Sequence, residues 1–198
     1  MSIDISEIKR LKDLTGVGLT DAKRALEESN GDFDKALAAM RKKGLTKAEK
    51  RGEREARAGV IGNYNHDGRI GVLVEVNCET DFVARNEIFT DLVKDISMHI
   101  AASAPVYVSY EEVPKDEIDK VKAEFTDKLK SDGKPADMLD KIVEGQLKKH
   151  FAERCLTEQP FVKNPDITVG EFIKEHAARL GENIVVRRFS RLALGELG

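Results

Sequence analysis

The sequence predicts an α+β protein: an N-terminal three-helix module followed by an α+β core with a small antiparallel sheet and a helical hairpin. Three observations predict it. Apolar residues recur at helical spacing through residues 1–44, the period changes to two just after Gly59, and helical spacing returns afterwards in several separate blocks. Strands joined by a tight turn and flanked by helical blocks, rather than alternating with them, indicate α+β architecture.

Each element has its own signal. Ile5, Ile8, Leu11 and Leu14 mark a first helix that stops at Thr15-Gly16-Val17-Gly18. Ala22, Ala25, Leu26 and Ser29 mark a second, with Thr20 as the expected N-cap and Asp21 at the positive helix end. Phe33, Ala36, Leu37 and Met40 mark a third, opened by Asp32 and ended by Gly44. Helices this short are marginal alone and must share one small core. Arg41 to Arg57 holds eight basic and three acidic residues and almost no apolar stripe. Without interleaved aromatics, that pattern fits a solvated linker helix better than a nucleic-acid contact.

Val60-Ile61 then begins a strand, Asp67-Gly68 supplies a hairpin turn, and Ile70, Val72, Val74 and Val76 alternate along the return strand. A long helix presents Phe89, Leu92, Val93, Ile96 and Ile100, and two charged amphipathic helices over 114–151 are broken by Ser131-Asp132-Gly133-Lys134-Pro135. Thr168-Val169-Gly170-Glu171 reads as a capping box for a helix closed by Gly181, and Asn183 to Leu194 as a last strand. The expected organisation is a three-helix module over 1–45, a basic linker helix over 46–58, and a core over 59–198 that includes the hairpin at 114–151.

Composition narrows the function. With 33 Lys+Arg against 36 Asp+Glu in 198 residues, the net charge of −3 argues against a whole-chain polyelectrolyte binder. Charged residues are 35% and mean hydropathy is −0.42, no long apolar run exists, and Met1-Ser2-Ile3-Asp4 has no signal-peptide pattern. Two distant cysteines, Cys78 and Cys155, are too few for a disulfide framework, so a cytoplasmic setting is expected. The sequence has no Cys-x-x-Cys, His-x-x-x-His, Gly-x-Ser-x-Gly or phosphate-loop pattern, and Gly16-Val17-Gly18 follows a helix rather than a strand. His99 and His176 fall on apolar helical stripes and read as core histidines. Enzymatic chemistry, a metal site and a cofactor are therefore not expected.

One segment stands apart: Val74-Glu75-Val76-Asn77-Cys78-Glu79-Thr80-Asp81-Phe82-Val83-Ala84-Arg85-Asn86. Thr80 or Asp81 would cap the following helix by accepting from an orphan amide. From pattern alone, Phe82 folds under as a hydrophobic staple. This segment, with Leu11-Lys12-Asp13-Leu14-Thr15-Gly16-Val17-Gly18, Gly59-Val60-Ile61 and Gly181-Glu182-Asn183-Ile184-Val185-Val186-Arg187-Arg188-Phe189, resembles the translation elongation factor Ts family, in the family's order and over essentially the whole chain.

The resemblance implies a guanine-nucleotide exchange factor for elongation factor Tu, not an enzyme, whose N-terminal module is similar to ubiquitin-associated domains. It implies that Thr80, Asp81, Phe82 and Val83 enter the GTPase near its Mg²⁺ and phosphate sites, that GDP leaves, and that GTP binding displaces the factor. On this reading Phe82 becomes an exposed wedge rather than a staple. Lys12, Leu19 and Thr20 would contact the GTPase from the N-terminal module, with departures from the family pattern. Lys12 stands where Arg is common and lacks the planar fork, and Leu19-Thr20 stands where two methionines are common. The chain resembles the short form of the family, which implies a homodimer and a two-plus-two complex with elongation factor Tu. Pairing through the C-terminal strand would involve Arg187, Arg188, Phe189 and Arg191, although a solvated strand face fits those residues equally well. Ser190 excludes a disulfide at that point of the strand.

Overall fold

The structure, a computed structural model, describes residues 4–15, 17–49, 52–132 and 136–196. Met1–Ile3, Gly16, Lys50, Arg51 and residues 133–135 and 197–198 lie outside the described residues, as do the side chains of 41, 43–49 and 136–138. Along the chain run α1 (Ile5–Thr15), α2 (Leu19–Glu28), α3 (Phe33–Glu49), β1 (Ala58–His66), β2 (Ile70–Cys78), α4 (Asp81–Ala84), α5 (Glu87–Ser103), α6 (Lys115–Ser131), α7 (Ala136–Ala152), β3 (Pro160–Phe161), β4 (Asn164–Thr168), α8 (Val169–Leu180) and β5 (Ile184–Ala193).

The β1–β2 hairpin is set by its turn. Asp67 and Gly68 both have positive φ (51° and 69°), as a type I′ turn requires, and that turn's twist suits right-twisted strands. β1 and β2 pair antiparallel without interruption, and β5 pairs with the other side of β2, giving the order β1-β2-β5. Gly59 is demanded by the sheet: its φ is 146°, and a Cβ there would sit 2.2 Å from the Val76 carbonyl oxygen. A bulge between Glu75 and Val76 of β2 leaves Arg187 of β5 unpaired. The extra residue changes which side chains face in. Val186 and Phe189 pack toward the core, whereas Arg188 turns outward to Glu75 at 2.8 Å.

Val72, Val74 and Val76 on the inner sheet face meet Phe89, Leu92, Val93, Ile96 and Ile100 of α5, and Ile173 and Ala177 of α8 complete this core. The capping box of α8 forms as expected. Thr168 Oγ1 accepts from Glu171 N at 3.1 Å, and Glu171 accepts from Thr168 N at 2.8 Å. α6 and α7 form the expected hairpin around a second core of Val121, Leu129, Leu139, Val143, Leu147 and Phe151. Arg154 ties its base, donating to Glu117 at 2.7 Å, while the Tyr107 hydroxyl donates to the same carboxylate. α1, α2 and the first turns of α3 close on Leu11, Ala22, Leu26, Ala36 and Met40. α3 runs alongside α8, which α1 also meets.

Four local expectations need correction. Thr20 does not cap α2; the extended Gly18 (ψ 152°) does, its carbonyl accepting from Ala22 N at 3.0 Å, so Thr20 lies within the first turn. Gly44 does not end α3, which continues to Glu49; one interior glycine costs only about 1 kcal/mol and good helix formers follow it. Leu14 is half-exposed rather than core. The long helix does not start at Thr80 or Asp81: Asn86 restarts the chain, its Oδ1 accepting from Ile88 N at 2.9 Å.

His99 is fully buried, as its stripe predicts. Val162 N donates to its Nδ1 at 3.2 Å, which assigns the proton to Nε2, 2.9 Å from Gln159 Oε1. Burial pushes its pKa down, and the Gln159 bond acts weakly the other way; burial lowers His176 as well. The unfolded chain therefore takes up these protons first, so stability holds above about pH 6.5 and falls as pH drops toward the folded-state values. Urea midpoints are expected to fall between pH 7.5 and 5.5, with a smaller drop in a His99→Asn variant. Equal slopes in both proteins would exclude His99 as a source.

Candidate functional site

The turn after β2 is built from both ends of the sheet. Cys78 closes β2 with a buried side chain, its thiol donating to Thr80 O at 3.2 Å. Burial, and then the nearby Glu182 carboxylate, push this thiol up to about 11; burial does the same for Cys155. Neither thiol ionises near neutral pH, so both are inert core groups. Thr80 is extended (φ −130°, ψ 155°), and its Oγ1 accepts from Val83 N at 3.4 Å, opening the single-turn helix α4.

Residues advance by about 100° around a helix, so Phe82 lies roughly opposite Ala84. Ala84 is buried and Val83 half-buried against the sheet core, which aims Phe82 at solvent, 86% exposed. The staple reading of Phe82 is thus overturned. A staple residue precedes the N-cap, whereas Phe82 is the second residue of α4 after the Thr80 cap, in a helix that closes at Arg85 after one turn. Asp81 is exposed and faces Arg85 at 3.5 Å; at that exposure the pair contributes little to stability.

The base of the turn is gripped from the far end of the sequence. Glu182 accepts from Glu79 N at 3.0 Å, from Thr80 N at 3.1 Å and from Thr80 Oγ1 at 2.6 Å. Glu79 in return accepts from Asn183 N at 2.6 Å. Sequence reasoning missed these contacts. Their only trace in the sequence is Gly181-Glu182-Asn183, which opens the last of the segments that carry the family resemblance.

The N-terminal set occupies a different turn. Lys12 on α1 is half-exposed and 3.9 Å from Asp13. Leu19 opens α2 and is 51% exposed, with exposed Thr20 beside it. Leu14, which the helical pattern had assigned to the core, is also half-exposed. α8 packs against α3, touches α1, and leads through its C-cap Gly181 to the Glu182 grip. Among the described residues no group of His, Cys, Asp and Glu is arranged to hold a metal, and no helix is long and apolar enough to cross a membrane.

The described geometry thus consists of an exposed aromatic on a turn held by Glu182 and a second exposed set on a small helical module, two surface features rather than an enclosed site. The family described as Elongation factor TS matches residues 47–196. Relatives named Elongation factor Ts cover the N-terminal module too. The Geobacter sulfurreducens protein is 52% identical over 99% of this chain and 91% of its own length, and the Carboxydothermus hydrogenoformans protein is 52% identical over 96% and 88%. The chain belongs to the elongation factor Ts family.

Proposed function

We propose that this protein is the cytoplasmic guanine-nucleotide exchange factor for elongation factor Tu in translation elongation, with Phe82 as the wedge that disturbs the partner's Mg²⁺ and phosphate site. The observation that carries the reading is the 86% exposure of Phe82 on a turn anchored at both ends, in a chain of this family. A GTPase holds its nucleotide through phosphate-cradling amides and a bridging Mg²⁺, so displacing the metal weakens a large charge-neutralising interaction. Speeding release about a thousandfold means lowering the barrier by about 4 kcal/mol. Burying one aromatic supplies only about 1.5–3 kcal/mol. Thr80, Asp81 and Val83 beside it, and Lys12, Leu19 and Thr20 on the ubiquitin-associated-like module, supply the remainder. By reciprocity, GTP binding to the partner then expels the factor.

The test is release of a fluorescent GDP analogue from elongation factor Tu. Acceleration by this protein is expected; an unchanged rate ends the proposal.

The functional unit on this reading is a homodimer. Ile61, Leu73, Leu192 and Leu194 are all more than half exposed on or beside the outer face of the sheet, with Ser190 opposite Leu73. Packing and hydrogen bonds at that face, without a disulfide, fit a self-association surface. Of the strand residues implied by the resemblance, Arg187 and Arg188 remain exposed, whereas Phe189 packs inward and Arg191 is held by Glu196 at 2.6 Å and by Ala101 O. Light scattering should give twice the chain mass of 22.0 kDa, and a Leu73→Glu, Leu192→Glu variant the single mass. A wild-type monomer at all concentrations rules the dimer out.

A further inference from the structure

We propose that Glu182 is a positioning residue that fixes the orientation in which the Thr80–Val83 turn presents Phe82, an inference that rests on reading that turn as the partner-contact element. α4 has four residues, far below the length of about 12–15 at which helices begin to hold in water. Its order must therefore come from outside. The packing of Val83 and Ala84 sets its depth, but apolar contact is non-directional. Direction comes from hydrogen bonds, and one carboxylate supplies most of them.

Glu182 engages three donors at the base of the turn, the amides of Glu79 and Thr80 and the Thr80 hydroxyl. Because that hydroxyl spends its proton on Glu182, its lone pair is aimed at Val83 N. Removing Glu182 frees the hydroxyl to rotate and weakens the cap. The node extends further. Glu79 accepts from Asn183 N and has Arg54 at 3.5 Å to offset two neighbouring carboxylates. The side-chain amide of buried Asn183 donates to Arg54 O at 2.7 Å and Gly52 O at 3.2 Å. The segment leading from the N-terminal module, the base of the turn and the end of α8 thus meet at one point. A turn ordered before contact avoids the entropic cost of ordering on insertion. Loosening it should therefore slow the insertion step more than the first encounter.

The chain contains no Trp, so Phe82→Trp places its only indole at the tip. In that background, Glu182→Ala is expected to roughly double the amplitude of nanosecond local motion in time-resolved anisotropy. Glu182→Gln, which keeps an acceptor for the amides and can donate to Thr80 Oγ1, should leave it unchanged. With Phe82 restored, Glu182→Ala should lower the saturating rate of GDP release about tenfold and move the half-saturating concentration less than about threefold, with Glu182→Gln retaining most of the rate. If Glu182→Ala does not fold, Thr80→Val removes the same hydroxyl bond and is read by the anisotropy alone, because Thr80 itself belongs to the partner-contact set. Unchanged anisotropy and rate in the alanine variant, or equal losses with alanine and glutamine, overturn the inference. An intact rate in Phe82→Ala would instead sink the partner-contact reading, while the anisotropy would still decide whether Glu182 orders the turn.

Discussion

Phe82→Ala is expected to slow factor-accelerated GDP release by about ten- to a hundredfold, equivalent to about 1.4–2.7 kcal/mol of barrier. The size follows from what the ring can contribute when buried in a partner, about 1.5–3 kcal/mol. The free protein should hardly notice. At 86% exposure the side chain has little packing to lose, and such surface changes usually stay within about 0.5 kcal/mol. A stopped-flow exchange assay beside a thermal melt checks both parts. A large fall in melting temperature would return Phe82 to the core, and an undiminished rate would remove it from the mechanism.

Phe89→Ala, seven residues further on, should do the reverse. Phe89 is fully buried in the first turn of α5, among the side chains that join helix to sheet. Truncating such a ring costs about 3–5 kcal/mol through lost transfer energy and an unfilled cavity. Domains are stable by only about 5–15 kcal/mol, so the variant should lose roughly a fifth or more of its stability. Urea unfolding measures this directly, and a loss below about 1 kcal/mol would contradict the packing described for α5. The two phenylalanines differ because Asn86 interrupts the helix between them.

That interruption also marks how far the sequence could be read. The sheet hairpin was legible because Asp67-Gly68 demands one turn type, and the α8 start because Thr168 and Glu171 satisfy each other locally. Asn86 carries the same kind of local signal, an N-cap residue ahead of Glu87, but the apolar stripe that follows hid it. The facing of β5 was not legible. A bulge at Arg187 depends on pairing with β2 and breaks the two-residue alternation on which strand reading rests. The grip on the candidate site was least legible of all, since Glu182 and Thr80 lie 102 residues apart. Periodicity reports only neighbours in sequence. The motif containing Phe82 was plain, but whether its ring faced in or out depended on one turn of helix.

The most direct test of the wedge mechanism is the magnesium dependence of the Phe82 effect. GDP release from elongation factor Tu would be measured with wild-type factor and with Phe82→Ala, in millimolar Mg²⁺ and after chelation. If the ring acts by disturbing the metal site, the wild-type advantage of about tenfold or more in Mg²⁺ should shrink toward parity once the metal is gone. An advantage of the same size with and without Mg²⁺ would contradict it.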